Sequence, residues 1–543
     1  MSPGADAPDT GRYALRGRIV TLDPADTVLD DGVLYVSGTL IEAVLPATAP
    51  APPGFAGVTP LDTRGSVYPG LIELHNHLPY DVLPLWQVPK RYGNRSQWGG
   101  SGNPAYRTLV TGPMKVLGQD PRLMPAVVRY VEAKALVNGT TTSQGIALFS
   151  NAGARRMYRG VVRNVEQTDT PDLPEAASRI ADVEAKDAEK FLARLKQPHR
   201  LLLHLAEGTD AAARAHFQAL QFQPGKWAIT ENLVGIHCTG LNAEDFTVFA
   251  AHGGSMVWSP LSNLLLYGKT ADIAAAKEAG VLMGLGSDWS VSGSKGLLGE
   301  LKAARLASTA AGSVFSDREL VAMVTRDAAR ILRWESALGS LGAGMRADLV
   351  VVAGTHGDPY TSLVDARDED IRLVAVDGVA RYGSGRLMRA LAPGENLEPV
   401  PGTAGEHVLR LDDGTADTIV AGLSLGEATE RLAGALADLP ALAATPVPPI
   451  TASPGGGVRW QLALDEIEPT GAELRPRLPL LSASGETHPT GPGIGPLTAA
   501  PAELEPVALD ALTASGDPVF LATLADEGNL PADYAEALAR LLT

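Results

Sequence analysis

The sequence predicts an α/β protein: a (β/α)8 TIM barrel, a small composite β-sandwich built from both flanks of that barrel, and a C-terminal extension. Three observations predict it. Apolar runs alternate with helical segments from about residue 67 to 335, which matches the roughly 250 residues such a barrel needs. Short β-branched runs without helical period precede this region and recur after it. Beyond residue 390 the texture changes, and that last stretch holds nearly half of the 40 prolines. At 543 residues the chain is too long for one core.

In chain order, Tyr13–Leu22, Gly32–Ser37, Leu40–Leu45 and the weaker Val58–Asp62 read as strands, with turns of Gly, Asp and Pro. After the barrel Leu349–Ala353, Ile371–Asp377 and Val379–Tyr382 read likewise. Chain segments flanking a compact fold often lie close together. Residues 12–66 and 338–390 are therefore expected to complete one sandwich. The barrel, 67–337, opens with a strand over Val67–His77. Leu78–Gly112 is long and irregular, and a loop of that length is usually functional. It is expected to be a substrate lid, the alternative being that its aromatic residues merely pack it down.

Pro121–Asn138 reads as a helix with proline in its first turn. The strands Thr140–Ala147, Gly160–Val165, Arg200–Leu205, Leu233–Cys238, Ser255–Ser259 and Val281–Ser287 follow. Helices at Asp210–Leu220, Ala243–His252 and Thr270–Ala279 alternate with them, a pattern of parallel strands covered on both faces. A closed barrel requires one more strand, expected in Ser178–Glu184. Gly296–Leu306 and Ser316–Leu332 are expected as the closing helices. Residues 391–543, with helical stretches Glu427–Leu439 and Ala532–Leu542 between Pro/Gly-rich linkers, are expected to pack on the barrel or on a neighbouring subunit. His407 and His488 there read as surface histidines.

Composition excludes several functions. A formal net charge of -17 argues against nucleic acid, whose phosphates attract Lys and Arg, and equally against an anionic membrane surface. The single Cys238 excludes an internal disulfide or a cysteine-based zinc cluster. The first residues lack the basic region and apolar core of a signal peptide, and no apolar run approaches the roughly 18 residues of a membrane helix. The expectation is a cytoplasmic protein.

Chemistry in such a barrel sits at the C-terminal ends of its strands. The first expected strand ends in His75 and His77, and residues i and i+2 of a strand share a face, so two imidazoles project together. The strand Leu201-Leu202-Leu203-His204 ends with Glu207 three residues on. Val234-Gly235-Ile236-His237 ends in His237, and Met283–Ser287 runs into Asp288. One histidine on an apolar strand is usually a satisfied core residue. Four, with an Asp and a Glu, at equivalent strand ends are a site.

These residues resemble the amidohydrolase superfamily, and within it the cytosine deaminase and triazine chlorohydrolase branch. The matching pieces are Pro69-Gly70-Leu71-Ile72 before His75-Asn76-His77, Gly139-Thr140-Thr141-Thr142, His204-x-x-Glu207, His237, Ser259-Pro260-x-Ser262-Asn263-Leu264, Gly286-Ser287-Asp288 and the return Gly342–Val352. The resemblance spans about residues 12–385. It implies a hydrolase acting on a non-peptide C–N bond, by deamination or amide hydrolysis, through water activated on one divalent metal ion: zinc, with iron the alternative. His75, His77, His204 and Asp288 would hold the ion, Glu207 would shuttle a proton, and His237 would hydrogen-bond the developing oxyanion or orient the hydroxide, with Asp288 also able to take the first proton. Removal of chloride from a heterocycle is a variant of the same attack, and a barrel that has lost catalysis and serves as scaffold is the alternative from another class. A two-metal site would need a carboxylated Lys or a Glu in Ser178–Val183; Glu184 and Lys186 lie just beyond.

Two departures bear on substrate. Leu78-Pro79-Tyr80-Asp81 follows the histidine pair, and Trp289-Ser290-Val291 follows Asp288, placing bulky groups near the pocket and weighing against a nucleoside. Substrate contacts are expected from Trp86, Tyr92, Arg95, Trp98, Asn263 and Trp289, with Trp258 and Tyr267 completing an aromatic wall for a flat or apolar small molecule. The family's habits leave a homodimer open.

Overall fold

β-Runs from the two flanks of the chain meet in one sheet. The computed structural model describes residues 11–99, 103–151, 154–179, 188–401, 406–414, 416–445, 459–464 and 504–543. In spatial order the nine strands are Glu398–Pro399, His407–Leu409, Val379–Ser384, Ile371–Val376, Leu349–Ala353, Leu61–Pro69, Arg12–Val20, Val28–Ser37 and Leu40–Pro46. Leu61–Pro69 runs parallel to Arg12–Val20 and antiparallel to Leu349–Ala353, and so joins the flanks. Successive side chains of a strand point to opposite faces. Leu15, Leu34, Val36 and Val351 accordingly pack one core, while Ala14, Val33, Tyr35 and Phe55 pack another.

This sheet runs past residue 390. His407 lies in its strand His407–Leu409 and is buried, with Nε2 2.9 Å from Ile371 O and its ring stacked on Tyr382. Pairing with Val379–Ser384 draws the expected surface histidine inside. His488 lies outside the described residues.

The middle of the chain supplies eight parallel strands in two sheets. One holds Leu71–Ile72, Thr140–Ser143 and Arg163–Asn164; the other holds Ala176–Arg179, Arg200–Leu205, Leu233–His237, Ser255–Trp258 and Leu282–Leu285. The two sheets touch at both edges. Asn76 bridges Asp288 in parallel, and the Ala176 N–H donates to Val165 O at 2.8 Å. Ile72, Leu74, Leu202, Val234, Ile236 and Val257 share one buried cluster.

Four details differ from expectation. The opening strand is divided at Gly70: Leu61–Pro69 belongs to the flanking sheet and only Leu71–Ile72 to the parallel one. A Cβ at Gly70 would stand 2.4 Å from Thr141 Oγ1, and the Gly70 N–H bonds Asp348 O, so the chain changes sheet where only glycine fits. Thr140–Ala147 ends at Ser143, and Ala147–Ser150 pairs instead with Arg155–Met157 and Trp460–Leu462. The weakest strand begins at Ala176, and residues 180–187 lie outside the described ones. The helix expected over Ser316–Leu332 is two helices, Asp317–Met323 and Arg326–Leu332, and the break frees Val324 O to accept the Ile72 N–H. Among the described residues no helix is long and apolar enough to cross a membrane.

Candidate metal and catalytic site

Four imidazoles and two carboxylates meet where the parallel strands end. His75 and His77 lie just past Leu71–Ile72, held there by two backbone bonds: Asp288 N–H to His75 O at 2.9 Å and His77 N–H to Asp288 O at 2.6 Å. The His75 ring centroid is 4.9, 4.7 and 5.3 Å from those of His77, His204 and His237. All four histidines, Glu207 and Asp288 are buried. Ala206, His237 and Asp288 adopt φ of 50°, 68° and 68°, a region disfavoured for side chains with a Cβ, and such strain persists where surrounding structure imposes it.

Hydrogen bonds around the cluster fix which atoms face inward. Gln144 Oε1 accepts from the Asn76 N–H at 3.1 Å and lies 3.2 Å from His75 Nδ1, while Gln144 Nε2 donates to Ser178 Oγ. The His75 proton therefore sits on Nδ1, and Nε2 carries a lone pair. Asn263 Oδ1 accepts from Thr239 Oγ1 and lies 3.2 Å from His237 Nδ1, which orients His237 the same way. Both Nε2 atoms are buried without a hydrogen bond. Asp288 Oδ2 accepts from Ser262 Oγ at 2.6 Å, leaving Oδ1 facing His75 Nε2 at 3.2 Å and His77 Nε2 at 3.4 Å.

The His75 Nε2 lone pair and the carboxylate it faces repel unless a cation lies between them. Burial pushes His75 down to about 4, against the pull of Asp288, and pushes His204 well below its usual value, so neither supplies the charge at neutral pH. Burial also works to raise the Asp288 carboxyl, yet the surrounding histidines hold it below the usual range. A metal fits. Ligand atoms bonded at ~2.0–2.1 Å in a tetrahedron lie about 3.3 Å apart, and the Asp288–histidine separations of 3.2 and 3.4 Å match that edge. The triads His75/His77/His204, His75/His237/Asp288 and His204/Glu207/His237 each bring their ligand atoms within 4.8 Å of one another.

Glu207 lies beside this cluster, its Oε1 3.9 Å from His237 Nε2. Tyr267 Oη donates to Oε1 at 2.7 Å and Arg95 Nη1 to Oε2 at 3.2 Å. Burial tends to raise this carboxyl, but His237 and the Arg95 guanidinium outweigh it and hold it low. The pocket above is lined by His77, Tyr80, Arg95, Trp98, Tyr106, Glu207, Asp288 and Trp289. Trp98 reaches Tyr267 Oη through its Nε1 at 2.9 Å, and its ring lies 6.2 Å from that of Trp289.

Of the expected substrate residues, Arg95, Trp98 and Trp289 line this pocket. Trp86 and Tyr92 do not; they are buried and pair with each other at 6.3 Å, holding the loop down. Asn263 is fully buried beneath His237, so it orients the imidazole rather than facing the pocket. Trp258 likewise is buried, its indole N–H on Thr270. Gln144 and Tyr106 are not among the expected site residues, and Tyr80 is expected near the pocket only as part of the stretch Leu78–Asp81. Gln144 lies one residue past the observed strand Thr140–Ser143, inside the longer strand expected there, and Tyr80 and Tyr106 lie in helical turns, Leu78–Val82 and Pro104–Tyr106, too short to show a period in sequence.

Residues 196–381 match the amidohydrolase family. A 5-methylthioadenosine/S-adenosylhomocysteine deaminase of Symbiobacterium thermophilum is 24% identical over 386 residues, covering 62% of this chain and 84% of that protein. An adenosine deaminase of Xanthomonas campestris, solved with bound zinc, superposes with a TM-score of 0.53 at 20% identity, covering 68% of this chain and 92% of that one. The atrazine chlorohydrolase of Arthrobacter aurescens, complexed with zinc, gives 0.51 at 21% identity, covering 68% and 94%. With the strand-end histidines, Glu207 and Asp288 in place, the chain is similar in residues 196–381 to the amidohydrolase family, and in fold to a deaminase and a triazine hydrolase.

Proposed function

We propose that this protein is a metal-dependent hydrolase of a non-peptide C–N bond in a small molecule, a deaminase or amidohydrolase. The observation that carries the reading is the convergence of His75 Nε2, buried without a hydrogen bond, and His77 Nε2 on one Asp288 oxygen at tetrahedral-edge distances. His75, His77, His204 and Asp288 would hold one divalent ion, and the zinc in two structures of the same fold favours zinc over iron. When bound, such an ion supplies Lewis acidity that makes water a nucleophile near neutral pH.

The chain's own residues do the rest. Glu207, kept ionised by Arg95 and Tyr267, is placed to take a proton on its carboxylate and return it to the leaving nitrogen. His237, its Nδ1 held by Asn263, points Nε2 where negative charge would develop. Tyr80, Trp98, Tyr106 and Trp289 form an aromatic enclosure that excludes water and suits a flat ring. The bulky Trp289 and Tyr80 that line this pocket weigh against a nucleoside substrate, although the deaminase relative is named for nucleoside substrates. The same reading treats the eight parallel strands of 67–337 as a closed (β/α)8 barrel, carried beside the composite domain of 12–66 and 338–390.

A panel of amino-substituted heterocycles, cyclic amides and chlorinated rings, read separately for ammonia, carboxylic acid and chloride, tests the reading. Zinc-dependent ammonia or acid release is expected. Chloride alone would make the protein a dechlorinase, and no product from any class with metal bound would favour a silent scaffold.

A further inference from the structure

Residues 504–543 lie beyond the stretch that resembles the family, yet they reach the loops that carry the site. Asp510 is the centre of that contact. Its side chain is fully buried and accepts from Lys134 Nζ and from Lys295 Nζ, the latter at 2.5 Å. Its backbone N–H donates to Val82 O at 3.0 Å, and its carbonyl accepts from Tyr130 Oη at 2.6 Å.

These bonds lead to the metal ligands. Val82 ends the turn Leu78–Val82, which His77 begins. Lys134 Nζ also donates to Asp81 O, in the same turn, at 2.8 Å. Lys295 stands at the far end of the loop that starts at Asp288. Turn and loop are tied directly as well: the Ser290 N–H donates to Asp81 Oδ1 and Ser290 Oγ to Leu83 O, each at 2.7 Å. Farther out, Glu527 Oε1 accepts the Val88 N–H at 3.1 Å, and Asn529 Nδ2 donates to Leu265 O in the helix that carries Asn263 and Tyr267.

Charge makes the arrangement exacting. Among the described residues Asp510 is the one carboxylate ion-paired with Lys134, whereas Lys295 also has Asp517 at 2.8 Å. An ammonium buried without a counter-ion draws its surroundings apart to reach water or another partner. We propose that the C-terminal segment is a strap belonging to the metal site, with Asp510 as its positioning residue. Acting through Lys134, Val82 and Lys295, Asp510 sets the spacing between the turn after His77 and the loop after Asp288. This rests on the metal reading above. Linkage then requires reciprocity: if the strap favours metal binding, metal binding steadies the strap.

Hydrogen exchange of the full chain with and without added zinc tests this, beside zinc affinities from chelator competition for the wild type, Asp510→Asn and Tyr534→Phe. Zinc should slow exchange in 504–518 along with 73–82 and 286–296. Asp510→Asn should bind zinc about tenfold more weakly, the usual cost of losing a group that orients a ligand. Tyr534→Phe loses a bond to Ala303 O on an outer helix and should bind zinc as the wild type does. Zinc uptake that leaves 504–518 unchanged, or wild-type affinity in Asp510→Asn, overturns the strap alone. Should Asp510→Asn not fold, exchange in the wild type decides. A protein that takes up no zinc overturns the metal reading and the strap with it.

Discussion

Glu207, the proposed proton shuttle, is held at both carboxylate oxygens. Two donors hold its oxygens, Tyr267 Oη on Oε1 and Arg95 Nη1 on Oε2, and Trp98 in turn fixes Tyr267. Glu207→Gln retains volume and most of these contacts but cannot carry a proton. It should keep the metal and lose about 10²–10⁴-fold in turnover, checked by elemental analysis and steady-state rates on one preparation; undiminished turnover would remove Glu207 from the mechanism. Tyr267→Phe should keep the metal and lower kcat more than it raises KM, since it releases Glu207 without opening the pocket. At this scale the site was legible wherever a residue type is costly to bury. His75, His77, His204, His237, Glu207 and Asp288 stand out of apolar runs, where each needs a reason. Trp86 lies in a loop, which has no period to say which way its ring faces, and Asn263 lies in a helix buried throughout, Pro260–Tyr267, where no polar face marks the pocket side.

The element that most shapes the pocket is the segment after His77. Gly93, Asn94 and Arg95 dock against Glu207 to Asp210 through backbone bonds, among them Thr209 N–H to Gly93 O at 2.7 Å and Arg95 N–H to Glu207 O at 3.3 Å. Gly208 permits this approach, with φ of 138° and a would-be Cβ only 2.4 Å from Gly93 O. In Gly208→Ala, a strain of ~1–3 kcal/mol set against docking should raise KM by roughly five- to a hundredfold, with metal content unchanged. An unchanged KM would mean the segment does not close on substrate. Regular elements were legible through their apolar runs, as in Arg200–Leu205, where expected and observed limits coincide. Junctions were not. The step between sheets at Gly70 and the helix break at Val324 follow from contacts with Thr141 and Ile72, which no local pattern announces.

Across the whole molecule, burial leaves several ionisable groups far from their ordinary values, and stability inherits a pH dependence from them. Glu300 is buried between the Leu261 N–H and Ser294 Oγ, and burial first, then Asp288, raises it to about 8. Between about pH 4.5 and 8 the folded protein keeps a proton there that the unfolded chain releases. Its contribution to stability is therefore present at low pH and falls as pH rises through that window, by up to ~1.4 kcal/mol per pH unit. Glu300→Gln mimics the protonated form. In metal-free protein it should gain on the wild type in urea midpoint from pH 5 to pH 8; parallel curves would contradict the assignment. The buried network of Asp510 and its lysines is illegible in the sequence, because its partners are hundreds of residues apart and their own neighbourhoods read as ordinary surface. What the sequence did show is the cluster proposed to hold a metal, and that proposal is checked by the metal content of the purified full chain, read by elemental analysis. Close to one zinc or iron ion per chain is expected, lost in folded His75→Ala and Asp288→Ala variants. Two ions per chain, or none in folded wild-type protein after zinc supplementation, would contradict it.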